Sequence, residues 1–299
     1  MRLSLSKLER EQRSGVSVNI FCMFSSLLIR LLHLPIRVFA SCIQRVYINH
    51  ISFEQADDGR SLVRKRRSWF AGLLIFPGNV VFWFRRVPLR VLYNGQWLRW
   101  ERTLKLALRN ESIPTNTELL CEAIPGQPLS QCLCDRQVES VGRLKLLTVA
   151  TVALKNLHKE TVLLPGFERP IILSHGDAAI SNVLYCDQTE QAEWFDFDLR
   201  HDFRMDADQR HADDLRSLIF SAGVFCPAEE LESIVSMVKH EYRCDRVWAA
   251  LQSQLVSRWF WFDLFHLSQI RRMQTVSEAG GNKLVVKDKV LARLIVREK

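Results

Sequence analysis

Ile171-Ile-Leu-Ser-His175-Gly176-Asp177-Ala-Ala-Ile-Ser-Asn182-Val-Leu-Tyr185 is the stretch on which the reading of this chain turns. An apolar β-like run leads into a polar centre, and a second β-like run leaves it. Asp196 follows Asn182 after 14 residues, in Trp194-Phe195-Asp196-Phe197-Asp198. The intervening Asp187-Gln-Thr-Glu-Gln191 has the composition of a turn. An antiparallel hairpin centred near Thr189 predicts Asn182 and Asp196 side by side at its open end. An amide oxygen and a carboxylate held together are hard donors suited to Mg²⁺, and Asp177, on the loop leading into Asn182, is placed near the same ion.

The pattern H-G-D-x-x-x-x-N with a downstream D-F-D resembles the catalytic loop and metal-binding motif of the protein-kinase-like superfamily. H-G-D, rather than H-R-D, resembles its small-molecule and lipopolysaccharide-type kinases. The resemblance implies an ATP-dependent phosphotransferase that moves a phosphoryl group to a hydroxyl, on a lipopolysaccharide-like or other membrane-linked sugar. It implies that Asp177 orients the acceptor hydroxyl and takes its proton, that Asn182 and Asp196 hold Mg²⁺, and that His175 braces the loop. Leu62-Val63-Arg64-Lys65 resembles the end of the third front-lobe strand, where a lysine reaches the α- and β-phosphates of ATP. Glu101 is its expected helix partner, ahead of Glu111 and Glu118. Leu119-Leu-Cys-Glu122-Ala-Ile124-Pro125-Gly126-Gln-Pro-Leu129 resembles the fifth strand and hinge, where the backbone at Glu122 and Ile124 would hold adenine. Asp214-Leu215-Arg216 resembles the start of the helix after the activation segment, with Asp214 bonded to the catalytic loop. These motifs span residues 62 to 216.

The chain also departs from the family pattern. Residues 44–62 hold one glycine, Gly59, and so no Gly-rich phosphate loop. Ala179 stands where antibiotic kinases of the H-G-D type often have histidine and protein kinases have lysine. A pseudokinase that binds a partner or lipid without turnover and a protein serine/threonine kinase are the alternatives. The missing loop favours the first, and Ala179 opposes the second. Taken singly, Lys65 also reads as part of a solvated basic run, and Glu101 as an exposed acid paired with Lys105 one helical turn on.

Outward from the motifs, charge is unevenly distributed. Residues 1–110 hold 19 Lys+Arg against 6 Asp+Glu, a net +13, and the remainder holds 22 against 27, a net −5. The basic half contains two apolar blocks. In the first, Ile20, Phe24, Leu27, Leu28 and Leu31 recur at helical spacing, with Arg30 and His33 on another stripe. This reads as an amphipathic helix, suited either to a membrane interface or to the protein's own core. The second, Trp69 to Phe84, is 16 residues without a charge, preceded by Arg64-Lys65-Arg66-Arg67 and followed by Arg85-Arg86. Pro77-Gly78 predicts a break in it, and lipid contact and core burial are both open. Neither block is long and apolar enough for a spanning helix, and Arg30, Pro35 and Arg37 spoil a signal-peptide core before Phe39-Ala40-Ser41-Cys42. The expected location is cytoplasmic, peripheral to the inner face of the cell membrane, with an anionic membrane surface as partner. Basic residues interleaved with large apolar blocks argue against nucleic acid. The eight cysteines are scattered and fit reduced thiols.

The fold class expected is α+β: a bilobal kinase-like fold with a sheet-rich N-lobe, a mainly helical C-lobe and an added N-terminal amphipathic helix. The expected divisions are an extension over 1–43, the N-lobe over 44–126 and the C-lobe over 127–299.

Overall fold

A computed structural model describes residues 49–68, 71–84, 89–109, 111, 118–135, 138–164, 167–256 and 281–296, and in it the basic run lies on a strand. Side chains alternate between the two faces of a strand. β2 (Ser61–Arg67) therefore buries Lys65 and Arg67 on one face and turns Arg64 and Arg66 to the other. Arg64 reaches Glu54 on the strand to one side and Glu118 just before the strand to the other, each at 2.6 Å. Those strands, β1 (Asn49–Gln55) and β4 (Leu119–Glu122), pair antiparallel with β2 in the order β1-β2-β4. β2 is thus the central strand of the described sheet.

The apolar block does not break at Pro77-Gly78. It forms one helix, α1 (Ala71–Phe84), which runs through both residues. A proline inside a helix removes one amide donor and can kink the helix without ending it. Tertiary contacts hold the rest: Ala71 and Ile75 are buried, and Asn79 bonds the backbone of Val91 in both directions. Val91 ends β3 (Leu89–Val91). α2 (Asn94–Arg109) follows, and buries Trp97, Trp100, Glu101 and Leu104. Those positions make a single stripe at helical spacing, and Glu101 lies on it.

The C-terminal region is richer in helix. β5 (Gln127–Pro128) leads into α3 (Leu129–Cys134) and then α4 (Ser140–Leu157), which lies within the helix expected over 136–158. β6 (Thr161–Val162) and β7 (Ile171–Ile172) form a short pair. β8 (Val183–Cys186) and β9 (Gln191–Trp194) form the expected hairpin, with β5 on the outer side of β8. β10 (Leu199–His201) pairs with β3, tying the two regions together. α5 (Ala207–Phe225) is buried continuously from Arg210 to Val224. Around it pack α6 (Leu231–Glu241), α7 (Asp245–Val256) and α8 (Gly281–Val296). A helix buried on all sides needs apolar surroundings all round, so its polar residues Asp213 and Asp214 require partners.

The fold is therefore mixed α+β, with a sheet-containing N-terminal region and a more helical C-terminal one. All described residues belong to one compact unit, Ile48–Lys299. The amphipathic helix expected within 1–43 and the later part of the aromatic-rich stretch after Val256 lie outside the described residues. No described helix is long and apolar enough to cross a membrane. The six described cysteines are free thiols.

Gly126, between β4 and β5, has φ +122°, and a Cβ there would lie 2.4 Å from the Tyr185 carbonyl oxygen. Gly126→Ala is expected to cost at least about 1–3 kcal/mol. Gly95→Ala, in open space in the first turn of α2, is expected to stabilise by about 0.5–1 kcal/mol. Urea unfolding of the two variants should shift the midpoint in opposite directions.

Candidate functional site

Lys65 stands at the middle of the site. Its side chain is 9% exposed, and its ammonium meets Glu101 Oε1 at 3.3 Å, Asp198 Oδ1 at 2.8 Å and the Asp196 carboxylate. The four residues come from β2, α2 and the segment that leaves β9. Neither plain reading of the pair survives. Lys65 is not solvated with its arginine neighbours, and Glu101, 3% exposed, turns away from solvent. Trp97 lies beneath the cluster, its ring centroid 5.4 Å from the Lys65 nitrogen and 4.7 Å from the Arg67 guanidinium carbon. Arg67 in turn approaches Asp198 at 3.4 Å and donates to the Leu92 carbonyl.

The charges shift one another. Burial works to lower the Lys65 pKa, but Asp196, Asp198 and Glu101 outweigh it and hold the ammonium well above the usual lysine range. Burial pushes the Glu101 carboxyl up, against the pull of Lys65. For Asp198 burial also acts upward, yet Lys65, Arg67 and the hydrogen bond from Asn49 bring it below the ordinary carboxylate value. Glu101, Asp196 and Asp198 present oxygens within 4.8 Å of one another, an arrangement that could surround a cation.

The hairpin register is one residue away from the expected one. Val183 pairs with Trp194 and Cys186 with Gln191, so Asn182 faces Phe195, whose amide donates to the Asn182 carbonyl at 3.1 Å. The turn is the four residues Asp187–Glu190, with Glu190 at φ +51°, and its midpoint falls between residues 188 and 189 rather than on Thr189. A one-residue slip exchanges the faces of a strand. Here Asp196 leaves the strand with φ +66° and carries its carboxylate to Lys65. Asn182 instead donates its side-chain amide to Asp177, at 3.0 Å to Oδ2 and 2.9 Å to the carbonyl. The expected side-by-side pair is thus two neighbouring pairs, Asn182 with Asp177 and Asp196 with Lys65. A non-glycine residue in the left-handed region is uncommon, and such positions concentrate at functional sites.

The loop that carries Asp177 is braced from α5. The Asp214 carboxylate accepts the amides of His175 at 2.7 Å and Gly176 at 2.9 Å, and His158 Nε2–H at 2.9 Å. Burial pushes this carboxyl up, but His201 and His158 outweigh it and hold it below the usual range. Asp214 lies within α5 rather than at its start, because the helix begins at Ala207. Gly176 has φ +84°, and a Cβ there would lie 2.8 Å from the Leu199 carbonyl oxygen, so the loop sits directly on β10. His175 donates from Nε2 to the Phe195 carbonyl at 2.9 Å and accepts the Asp177 amide on Nδ1 at 3.3 Å. A proton on Nδ1 would break the second bond, so the ring is held neutral.

Two expected residues lie apart from this cluster. Glu122 ends β4 opposite Leu62 with an exposed side chain, and its carbonyl accepts from Arg109 at 3.3 Å. Ile124 is half-buried in the link to β5. Asp198, Arg67 and Asn49 joined the site without a role assigned from sequence. The second aspartate of D-F-D was the signal for Asp198. The chain matches no protein-family model and no curated protein.

Burial lowers the His175 pKa to about 4 and the His211 pKa to about 3, and it also lowers that of His158. Unfolded histidines titrate near about 6.5, so below that pH the unfolded chain binds protons that the folded one refuses. Stability should be full above about pH 6.5 and fall by roughly 1.4 kcal/mol per pH unit for each such histidine as pH drops toward about 4. His211→Gln, which keeps a donor for the Leu173 carbonyl, should flatten this slope in urea unfolding measured across the same window.

Proposed function

We propose that this chain is an ATP-dependent phosphotransferase of protein-kinase-like, bilobal fold, most similar in its motifs to lipopolysaccharide-type kinases. Its acceptor is a hydroxyl on a membrane-linked sugar, and it works at the inner face of the cell membrane. The observation that carries the reading is the meeting of Lys65 with Glu101 and Asp196 in one buried cluster, across 36 and 131 residues of sequence. These residues stand out by motif, and chance offers no reason for all of them to converge.

The donor set fits a hard divalent cation, since three carboxylates surround a single lysine ammonium. When bound, Mg²⁺ would neutralise charge on the nucleotide phosphates. Asp196 and Asn182 are the residues to hold it, with Asp198 beside them. Lys65 contacts the α- and β-phosphates, and Glu101 keeps its ammonium pointed into the site. Asp177, fixed by Asn182, orients the acceptor hydroxyl and takes its proton. Asp214 keeps the loop in place through two backbone amides. Adenine lies along the backbone at Glu122 and Ile124.

One observation favours a second reading, that of a pseudokinase. The β1–β2 turn, which would cover the phosphates, carries Asp57 and Asp58, with Asp58 bound to Arg60 at 2.7 Å. Acidic side chains there oppose a phosphate chain, so binding of a partner or lipid without turnover is the rival outcome.

Calorimetric Mg-ATP binding and phosphoryl transfer to lipid-linked sugars separate the two. Asp177→Ala should keep Mg-ATP binding and lose transfer by about 10²–10⁴-fold. Asp196→Ala and Lys65→Ala should lose nucleotide affinity, whereas Arg66→Ala, at an exposed position, should behave as wild type. Wild-type protein that binds Mg-ATP and transfers nothing would support the pseudokinase, and no Mg-dependent nucleotide binding would end the reading.

A further inference from the structure

Among the described residues, α1 has one buried and one exposed apolar face. Ala71 and Ile75 are buried against the protein, but Leu73 is 73% exposed, Phe76 63% and Trp83 70%. With Val80 these residues recur at helical spacing, making an outer stripe on a helix that has no charged residue. Between α1, β3 and the segment after β10 lies a cavity of about 720 Å³, a size that suits a small amphiphile rather than a folded partner. Phe76, Trp83 and Tyr93 contribute aromatic walls, and Leu89 and Leu92 are among its buried residues. Among the described residues its charged groups are Arg90, Arg200 and Arg204 against a single carboxylate, Asp202, which pairs with Arg90 at 3.5 Å and Arg204 at 2.5 Å, and Asn79, Gln96 and Gln209 are its neutral polar groups. Arg200 also lies over the Phe203 ring, 4.7 Å from its centroid. None of Lys65, Asp177, Asn182 or Asp196 lines the cavity.

We propose that this cavity and the outer stripe of α1 bind one anionic phospholipid of the membrane, with its head group among the three arginines and its acyl chains along Leu73, Phe76 and Trp83. Charge complementarity selects the occupant: three guanidinium groups against one carboxylate call for an anion, and the adjoining uncharged aromatic stripe calls for hydrocarbon. A soluble anion leaves the exposed stripe in water, and a neutral lipid leaves the excess positive charge over Asp202 unmatched. The site also touches the candidate active site through the backbone, because the Leu92 amide reaches the Asp198 carbonyl at 3.5 Å. A lipid seated here would therefore set the carboxylate cluster close to the membrane surface. The proposal rests on the membrane half of the reading above and not on phosphotransfer.

The test uses the full chain with vesicles of phosphatidylcholine, alone or mixed with phosphatidylglycerol, whose acyl chains are brominated near the head group. Bromine should quench tryptophan fluorescence in the anionic vesicles, and Trp83→Phe should remove most of that quenching. Arg90→Gln with Arg204→Gln should weaken partitioning about 30-fold, as expected for two surface charges. Asp202→Asn should strengthen it several-fold, an outcome that a merely unfolded variant cannot produce. Each variant should bind Mg-ATP as wild type does, so a failure here is distinct from a failure of the nucleotide site. Equal partitioning into neutral vesicles, protection by inorganic phosphate alone, or a Trp83 shielded from acrylamide before lipid is added would overturn the proposal. The last would mean that protein already covers the stripe.

Discussion

The cost of burying one lysine ammonium organises the front of this molecule. A charge moved out of water is tolerated only when opposite charges come with it and the remaining donors are satisfied. Lys65 obtains three carboxylates from two other elements, Glu101 on α2 and Asp196 and Asp198 beyond β9. Removing Lys65 would leave the buried Glu101 carboxylate without its cation, and breaking a buried pair in this way costs about 3–5 kcal/mol. The sheet, the helix and the hairpin exit are consequently held in one arrangement by a polar constraint, with Trp97 as the apolar floor beneath it.

Asp214 does the same work behind the site. It reaches from α5 to two successive backbone amides of the His175–Asn182 loop, and His158 completes its shell. Tyr242 is close behind, 2.6 Å from the other His158 nitrogen. A loop fixed by a buried carboxylate and by the neutral His175 ring has little freedom, which is the condition under which the Asp177–Asn182 pair can present a defined geometry. The same histidines make the brace sensitive to acid, because a neutral buried imidazole is stable only while protons are scarce. Rigidity of the site and its pH range thus have one cause.

Between these anchored regions, α1 is different in kind. It is pinned through Asn79 to the Val91 backbone and buries only part of its apolar surface. Its exposed stripe and the neighbouring arginines lie beside a strand pair, β3–β10, that leads directly to Asp198. Contact with lipid and placement of the site would then be a single event, without any moving part.

The amino-acid sequence determined the candidate site residues and the local elements around them. The H-G-D-x-x-x-x-N and D-F-D stretches, the β8–β9 hairpin and helix α4 were legible because turn composition and periodicity are local properties. Even Glu101 was readable in principle, since Trp97, Trp100 and Leu104 define a face and Glu101 lies on it. Three things needed the tertiary structure. The register of the hairpin depended on where its four-residue turn closed, and that moved Asp196 beyond the residue paired with Asn182. The continuity of α1 through Pro77-Gly78 came from packing on β3, which outweighs one lost hydrogen bond. The place of Asp198, Arg67 and Asn49 depended on folding, since strand alternation shows which side chains share a face but not which distant charges will meet them. Only the folded chain brings a lysine on β2 to carboxylates more than a hundred residues away, because the desolvation cost that selects such partners arises only once all of them leave water together.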